Sequence, residues 1–356
     1  MELFKPKTIL GLLLIISVLV AGGAFYTRYI SEKKKDETVT LRVWEGEKSI
    51  LHLPLYVALK EGYFDEQRVR IKLIARSDAP AADPYIDQMA DIILTDPVEH
   101  LYRKSVNPSS PPVIATLTSR DYTFLLGRKK GTWAWENLKG ERVICYPPET
   151  GPGLALEKIL RENGMLPQHD LSLYYRIPRE LRLGAFKAGS GSYIQLPGPQ
   201  ALQAEASGTG FIVAALGETE KTFPSVLCVA RSEIIKKHPE AVQAFVDGIY
   251  KARLWMSHEP ELASRAAENY LKDMDRQTKN TLLSQYMDMG MWAPATGVKA
   301  AAFKDFVQML ETAGQIPVPV SFDNAVNNTF ATRAAETIKY IPPQEREKGL
   351  LKKIFS

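Results

Sequence analysis

LHLPLYVALKEGYFDEQRVRIKLI, residues 51–74, decides the fold. Pro54 suits the first turn of a helix, where its missing N–H costs nothing. Gly62 suits the stop, and Phe64 lies where it can pack back on the helix end. Val69, Ile71 and Leu73 then alternate with Arg70 and Lys72, the period of a half-buried strand. Before the helix, Leu41 and Val43 alternate with Arg42 and Trp44 in the same way. After it, ADIIL (90–94) and PVIATL (112–117) are short apolar strands, the first running into Thr95-Asp96-Pro97. Strands and helices in alternation predict an α/β fold with a mainly parallel sheet and helices on both faces.

A second unit begins after Arg128. ERVIC (141–145) is a strand, Thr150-Gly-Pro-Gly leads into the helix LALEKILREN, and FIVAA (211–215) is a further strand. SVLCVA (225–230) is short and apolar and can return the chain to the first unit. The last third is helical by period: Val242, Phe245, Val246 and Ile249 follow Pro239 at helical spacing, and similar spacing recurs over 260–272, 276–290 and 299–313. The tail from 341 to 356 reads as a surface helix, with membrane-surface contact as the alternative.

Charge is unevenly placed. The chain of 356 residues has 45 Lys and Arg against 41 Asp and Glu. Residues 1–35 hold six of the basic and two of the acidic ones, so the body from 36 onward carries 39 of each. A balanced body gives no reason to expect nucleic acid, which needs a basic surplus on one face. TILGLLLIISVLVAGGAFY (8–26) is uncharged and close to the ~20 residues that span a bilayer, behind Lys5 and Lys7 as in an export segment. Retention as an anchor is the expectation and cleavage near Gly22-Gly23-Ala24 the alternative. Residues 31–38 read as a tether. The 45% of hydrophobic residues excludes a mainly disordered chain.

Catalytic and metal motifs are missing from the sequence. It has no GxGxxG after a strand, no GxxxxGK[ST] and no HExxH. His52, His100, His169, His238 and His258 lack ligand spacing. Cys145 and Cys228 sit in apolar strands and read as buried, inert thiols. No cofactor is expected, and no enzyme activity.

Four stretches in order carry a resemblance. They are residues 51–74 quoted above, ADIILTDPVEHL (90–101), WENLKGERVICYPPETGPGLALEKILRENGML (135–166) and HPEAVQAFVDGIYKARLWM (238–256). Together they resemble the substrate-binding proteins of ABC importers in the nitrate/sulfonate/taurine and thiamine-precursor group. His52, Pro54, Ala58, Gly62 and Phe64 match the pattern of the first stretch. The resemblance implies a two-lobed periplasmic-binding-protein type II fold, each lobe a mainly parallel sheet flanked by helices, preceded by one N-terminal hydrophobic helix. It divides the chain into 1–35 as signal or anchor, 36–122 plus 228–340 as a discontinuous first lobe, and 123–227 as the second. The crossings fall near Tyr122–Gly127 and Pro224–Ala230. The resemblance also argues for export, although Arg28 and Lys33 to Lys35 put more positive charge after the span than before it, which favours a cytoplasmic body.

A solute would bind at the carboxyl ends of the strands, be trapped by closure of the lobes, and be read by a permease–ATPase complex, with the binding chain a monomer. Trp44 can stack on a planar ligand; His52 and Tyr56 open the first helix; Thr95 and Asp96 end a strand, where Asp96 can also cap the next helix. Thr118, Ser119 and Arg120 follow the fourth strand, and Arg120 can pair with an anion. Thr150, Gly151 and Gly153 offer N–H groups at a helix start, a setting that favours anions. Gln195 and Gln200 are neutral hydrogen-bonding candidates. An anchored sensor and a pyrimidine-forming enzyme on the same fold are the competing readings.

Overall fold

The computed structural model describes residues 38–219 and 224–345. The N-terminal hydrophobic helix and most of the C-terminal tail expected from the sequence lie outside the described residues. Among the described residues no helix is long and apolar enough to cross a membrane.

Two five-stranded sheets organise the chain. The first has the order β2-β1-β3-β10-β4, from β1 (Val39–Gly46), β2 (Val69–Ala75), β3 (Ile92–Thr95), β4 (Val113–Thr116) and β10 (Leu227–Ala230). The second has the order β7-β6-β8-β5-β9, from β5 (Thr123–Gly127), β6 (Arg142–Ile144), β7 (Ser172–Tyr174), β8 (Tyr193–Pro197) and β9 (Phe211–Ala215). The two orders repeat one pattern. In each sheet the strand next to one edge runs against the other four. It is β10 in the first sheet and β5 in the second. Both sheets are therefore mixed, and the two reversed strands are the ones through which the chain enters the second sheet and returns from it.

The first unit forms as its side-chain pattern dictates. β1 lies parallel to β2 in register from Val39 opposite Val69 to Trp44 opposite Ile74, with an irregularity between Trp44 and Gly46. The helix Leu53–Lys60 starts with Pro54 in its first turn, and Gly62 beyond its end takes φ +71°, a left-handed value that a side chain would strain. Phe64 is buried behind that stop and stacks on Phe245 of the helix Pro239–Met256 at 5.8 Å. The four residues of β3 and the four of β4 are buried throughout.

Helices cover both sheets, and one ties them together. Tyr286, on the helix Arg276–Asp288, is fully buried, stacks on Phe124 of β5 at 6.0 Å and donates to the Tyr122 carbonyl at 2.8 Å. Cys145 and Cys228 are free and buried, and burial pushes both thiols up to about 12. At neutral pH both are protonated and weak as nucleophiles.

Candidate functional site

The carboxyl ends of β1 and β3 open on a cavity of about 650 Å³. Its first-sheet wall holds Trp44, Glu45, His52, Thr95 and Asp96; from the second unit Arg179 reaches it. Arg179 opens the helix Arg179–Lys187 and lies 3.8 Å from Glu47, so the two units approach each other across the mouth. This is the crevice at strand ends where open α/β sheets bind ligands, and its size suits a small molecule.

Glu45 is the polar centre of the wall. The alternation of β1 buries Leu41 and Val43, and Glu45 follows the buried Trp44 where the strand turns at Gly46. Only 4% of Glu45 is exposed. Tyr56 donates to Oε2 at 2.8 Å, and His52 Nδ1 stands 3.9 Å from the same oxygen, beyond hydrogen-bond reach. Burial alone raises the Glu45 carboxyl. His52 and the Tyr56 hydroxyl outweigh it, so the group sits below its ordinary value and is ionised at neutral pH. Tyr56 does not face the cavity: it is fully buried, stacks on Tyr270 at 4.7 Å and positions Glu45 from behind. Burial and the adjoining Glu45 charge push its phenol up, so it remains a donor.

Asp96 both caps a helix and faces the second unit. Its Oδ1 accepts from Val98 N at 2.8 Å and Glu99 N at 3.3 Å, at the start of the helix Pro97–Val106. Burial pushes its carboxyl up to about 6, against the N–H groups of Val98, Glu99 and Gly151, which favour the charged form. A folded-state value above the unfolded one gives stability that is present below about pH 4 and lost as pH rises through 6. The shift is worth about 3 kcal/mol at full strength, and solvent reaching the group through the cavity reduces it to ~2 kcal/mol. Asp96→Asn keeps a good N-cap residue. We expect it to match the wild type near pH 4 and to exceed it by ~2 kcal/mol at pH 7.5. Thermal unfolding of both chains across that range checks it; a constant difference would be the contrary result.

The other candidates divide. Thr150 caps the helix Gly151–Glu162 by accepting from Gly153 N at 3.3 Å. Gln195 is fully buried and spent: its Oε1 accepts from Tyr146 N, and its Nε2 donates to Thr123 Oγ1 and the Pro152 carbonyl. Thr118, also fully buried, accepts from Ser225 N and Val226 N and binds one crossing to the other. Ser119 Oγ accepts from the buried Arg253 at 2.6 Å, and Arg120 donates to the Met289 carbonyl at 3.1 Å. These three line a separate, mostly apolar cavity of about 220 Å³ near Phe303 and Phe306. Gln200 lines a groove of about 970 Å³ beside Tyr270 and Asp273. Of the thirteen candidates, Trp44, His52, Thr95 and Asp96 meet at the strand-end cavity.

Sequence reasoning passed over Glu45, Tyr85, Arg76, Arg103 and Arg179, all of which line that cavity. Tyr85 sits 3.1 Å from Nδ1 of His100, whose ring burial holds down to about 3 and so neutral. The available signal was position: Glu45 is the next residue after the last strand position singled out on β1.

Two mixed sheets joined by two crossings, with a cavity at the strand ends between them, define a two-lobed α/β solute-binding fold. The NMT1/THI5 like family model matches residues 49–263, and the chain belongs to that family. A curated relative from Bacillus subtilis (strain 168), named "Putative binding protein YtlA", is 26% identical over 317 residues, 88% of this chain and 95% of its own. The periplasmic sulfonate-binding protein SsuA from Methylobacillus flagellatus KT superimposes with a TM-score of 0.65 at 13% identity, covering 84% of this chain and 95% of its own. The desulfurization enzyme DSZB superimposes with a TM-score of 0.61 at 16% identity, covering 84% of this chain and 99% of its own. Such low identities carry the fold and leave ligand and activity to the site.

Proposed function

We propose that this chain is the extracytoplasmic solute-binding component of an ABC importer, without catalytic activity of its own. The observation that carries the reading is the cavity of about 650 Å³, walled by β1 and β3 ends on one side and approached by Arg179 on the other. The name of the sulfonate-binding neighbour and that of the Bacillus relative point the same way. One lobe then comprises residues 38–122 and 227–340, since Leu227 already pairs in the first sheet, and the other comprises 123–219 with 224–226. Motion about the segments leading into β5 and β10 opens the cavity to a small solute and closes it again, and the closed form is handed to the permease. The uncharged stretch 8–26 tethers the chain to the membrane.

Glu47 and Arg179 report this motion, since they face each other across the mouth at 3.8 Å and both are exposed. Spin labels at these two positions are expected to show a broad, longer distance in the solute-free chain. Any solute that raises the unfolding temperature should contract it to one short distance. A stabilising solute that leaves the distance unchanged would remove closure from the reading.

A further inference from the structure

We propose that the solute captured here is an organic cation with N–H donors, an ammonium, amidinium or guanidinium, received by Glu45 with Asp96 as second acceptor. The inference rests on the solute-binding reading above and names its substrate class.

Three observations carry it. The first is the acceptor. Among the described residues Tyr56 gives Glu45 its only hydrogen bond, while an ionised carboxylate offers about four acceptor positions. The remaining capacity lies on the cavity wall. The second is the lining charge. Five carboxylates line the cavity, Glu45, Glu47, Asp83, Asp96 and Glu99, against the arginines Arg76, Arg103 and Arg179. Arg103 is held by Asp83 at 2.9 Å and Glu99 at 3.1 Å, and Arg179 faces Glu47. Arg76 is exposed and lies over the Trp44 ring at 5.4 Å. With those pairs set aside, Glu45 and Asp96 are the lining carboxylates without an Arg or Lys in salt-bridge contact among the described residues; Asp96 is held by the Val98 and Glu99 N–H groups, and Glu45 faces His52 at 3.9 Å. The third is His52, 6% exposed, which lines the cavity with Nδ1 bonded to no partner.

An anion would fare badly here. It would lie beside two carboxylates, and like charges placed together cost several kcal/mol. A cation meets complementary charge, and charge-assisted hydrogen bonds to a desolvated carboxylate are the strong kind. Trp44 adds an aromatic wall that already holds one cation, the Arg76 guanidinium.

The test is titration of the purified full-length chain with benzamidinium, agmatine, putrescine and 4-aminopyridinium, and with benzenesulfonate, ethanesulfonate and nitrate, read by calorimetry and unfolding temperature. We expect binding within the cationic set, weakened at least tenfold by E45Q and by a smaller factor in D96N. Glutamine at position 45 still accepts from Tyr56 but gives up the stability of the ionised carboxylate, so the solute-free E45Q chain should keep one cooperative unfolding transition, somewhat below the wild type at pH 7 and level with it below about pH 4, which separates lost binding from lost fold. Cations that bind E45Q as tightly as the wild type would overturn the assignment. Binding of the anions alone would overturn it while leaving the solute-binding reading intact. Binding of neither set would count against both.

Discussion

Gly153→Ala should lose about 3 kcal/mol or more of stability, at the upper end of what overpacking costs. A methyl there would lie 1.9 Å from the Pro147 carbonyl oxygen, 2.5 Å from its carbon and 2.9 Å from the Tyr146 oxygen. All three are backbone atoms, so no side-chain rotation relieves the clash. The Pro147 carbonyl also accepts from Thr150 N and Oγ1, which cap the helix Gly151–Glu162. The loop must move, and with it the start of the helix Gly151–Glu162. Gly184 is the control. It lies inside the helix Arg179–Lys187 with nothing within 4 Å of an added Cβ, so Gly184→Ala should gain about 0.5–1 kcal/mol. Urea unfolding of both variants checks the pair; near-equal midpoints would refute the packing argument.

Tyr56→Phe should cost about 2–3 kcal/mol at pH 7, because it strips a buried carboxylate of a charge-assisted hydrogen bond. The ring keeps its stack on Tyr270, so the loss isolates the hydroxyl. Its pH dependence has a definite sign. Glu45 sits below its ordinary value in the folded chain. The stability this gives is therefore present above the unfolded value of ~4.3 and is lost as pH falls through the folded one. The deficit of the variant should be full at pH 7 and fade below about pH 4. A deficit that stays constant into acid would mean that the hydroxyl acts through packing alone. The same variant carries a functional consequence: the Glu45 carboxylate loses its one hydrogen bond among the described residues and keeps only the more distant His52, 3.9 Å away.

The parts that could be read from sequence are those whose signal is local. β1, the helix Leu53–Lys60 and β2 follow from alternation, Pro54 and Gly62, all within the 37 residues from Val39 to Ala75. β5 and β10 show the limit. Every residue of both is buried, so neither has an in–out alternation, and an apolar run reads alike in either direction. Their reversal came from where the chain had to go. The site divides in the same way. Trp44 and Asp96 are legible as candidates because strand ends and N-caps are local features. Glu45 is not, because its burial depends on Tyr56 and His52 folding over it.

The strand orders also fix a sequence of assembly. The second sheet uses only residues 123–215, a continuous stretch. The first is interrupted: β10 lies between β3 and β4, and β4 pairs with no other strand of that sheet. A chain emerging from its N-terminus therefore carries β3 and β4 with facing edges unfilled until Leu227–Ala230 arrive. During that interval the edges are open templates for pairing with other chains. The second lobe can be complete while the first still waits for its closing strand, and β10 is where an incomplete or truncated chain would fail.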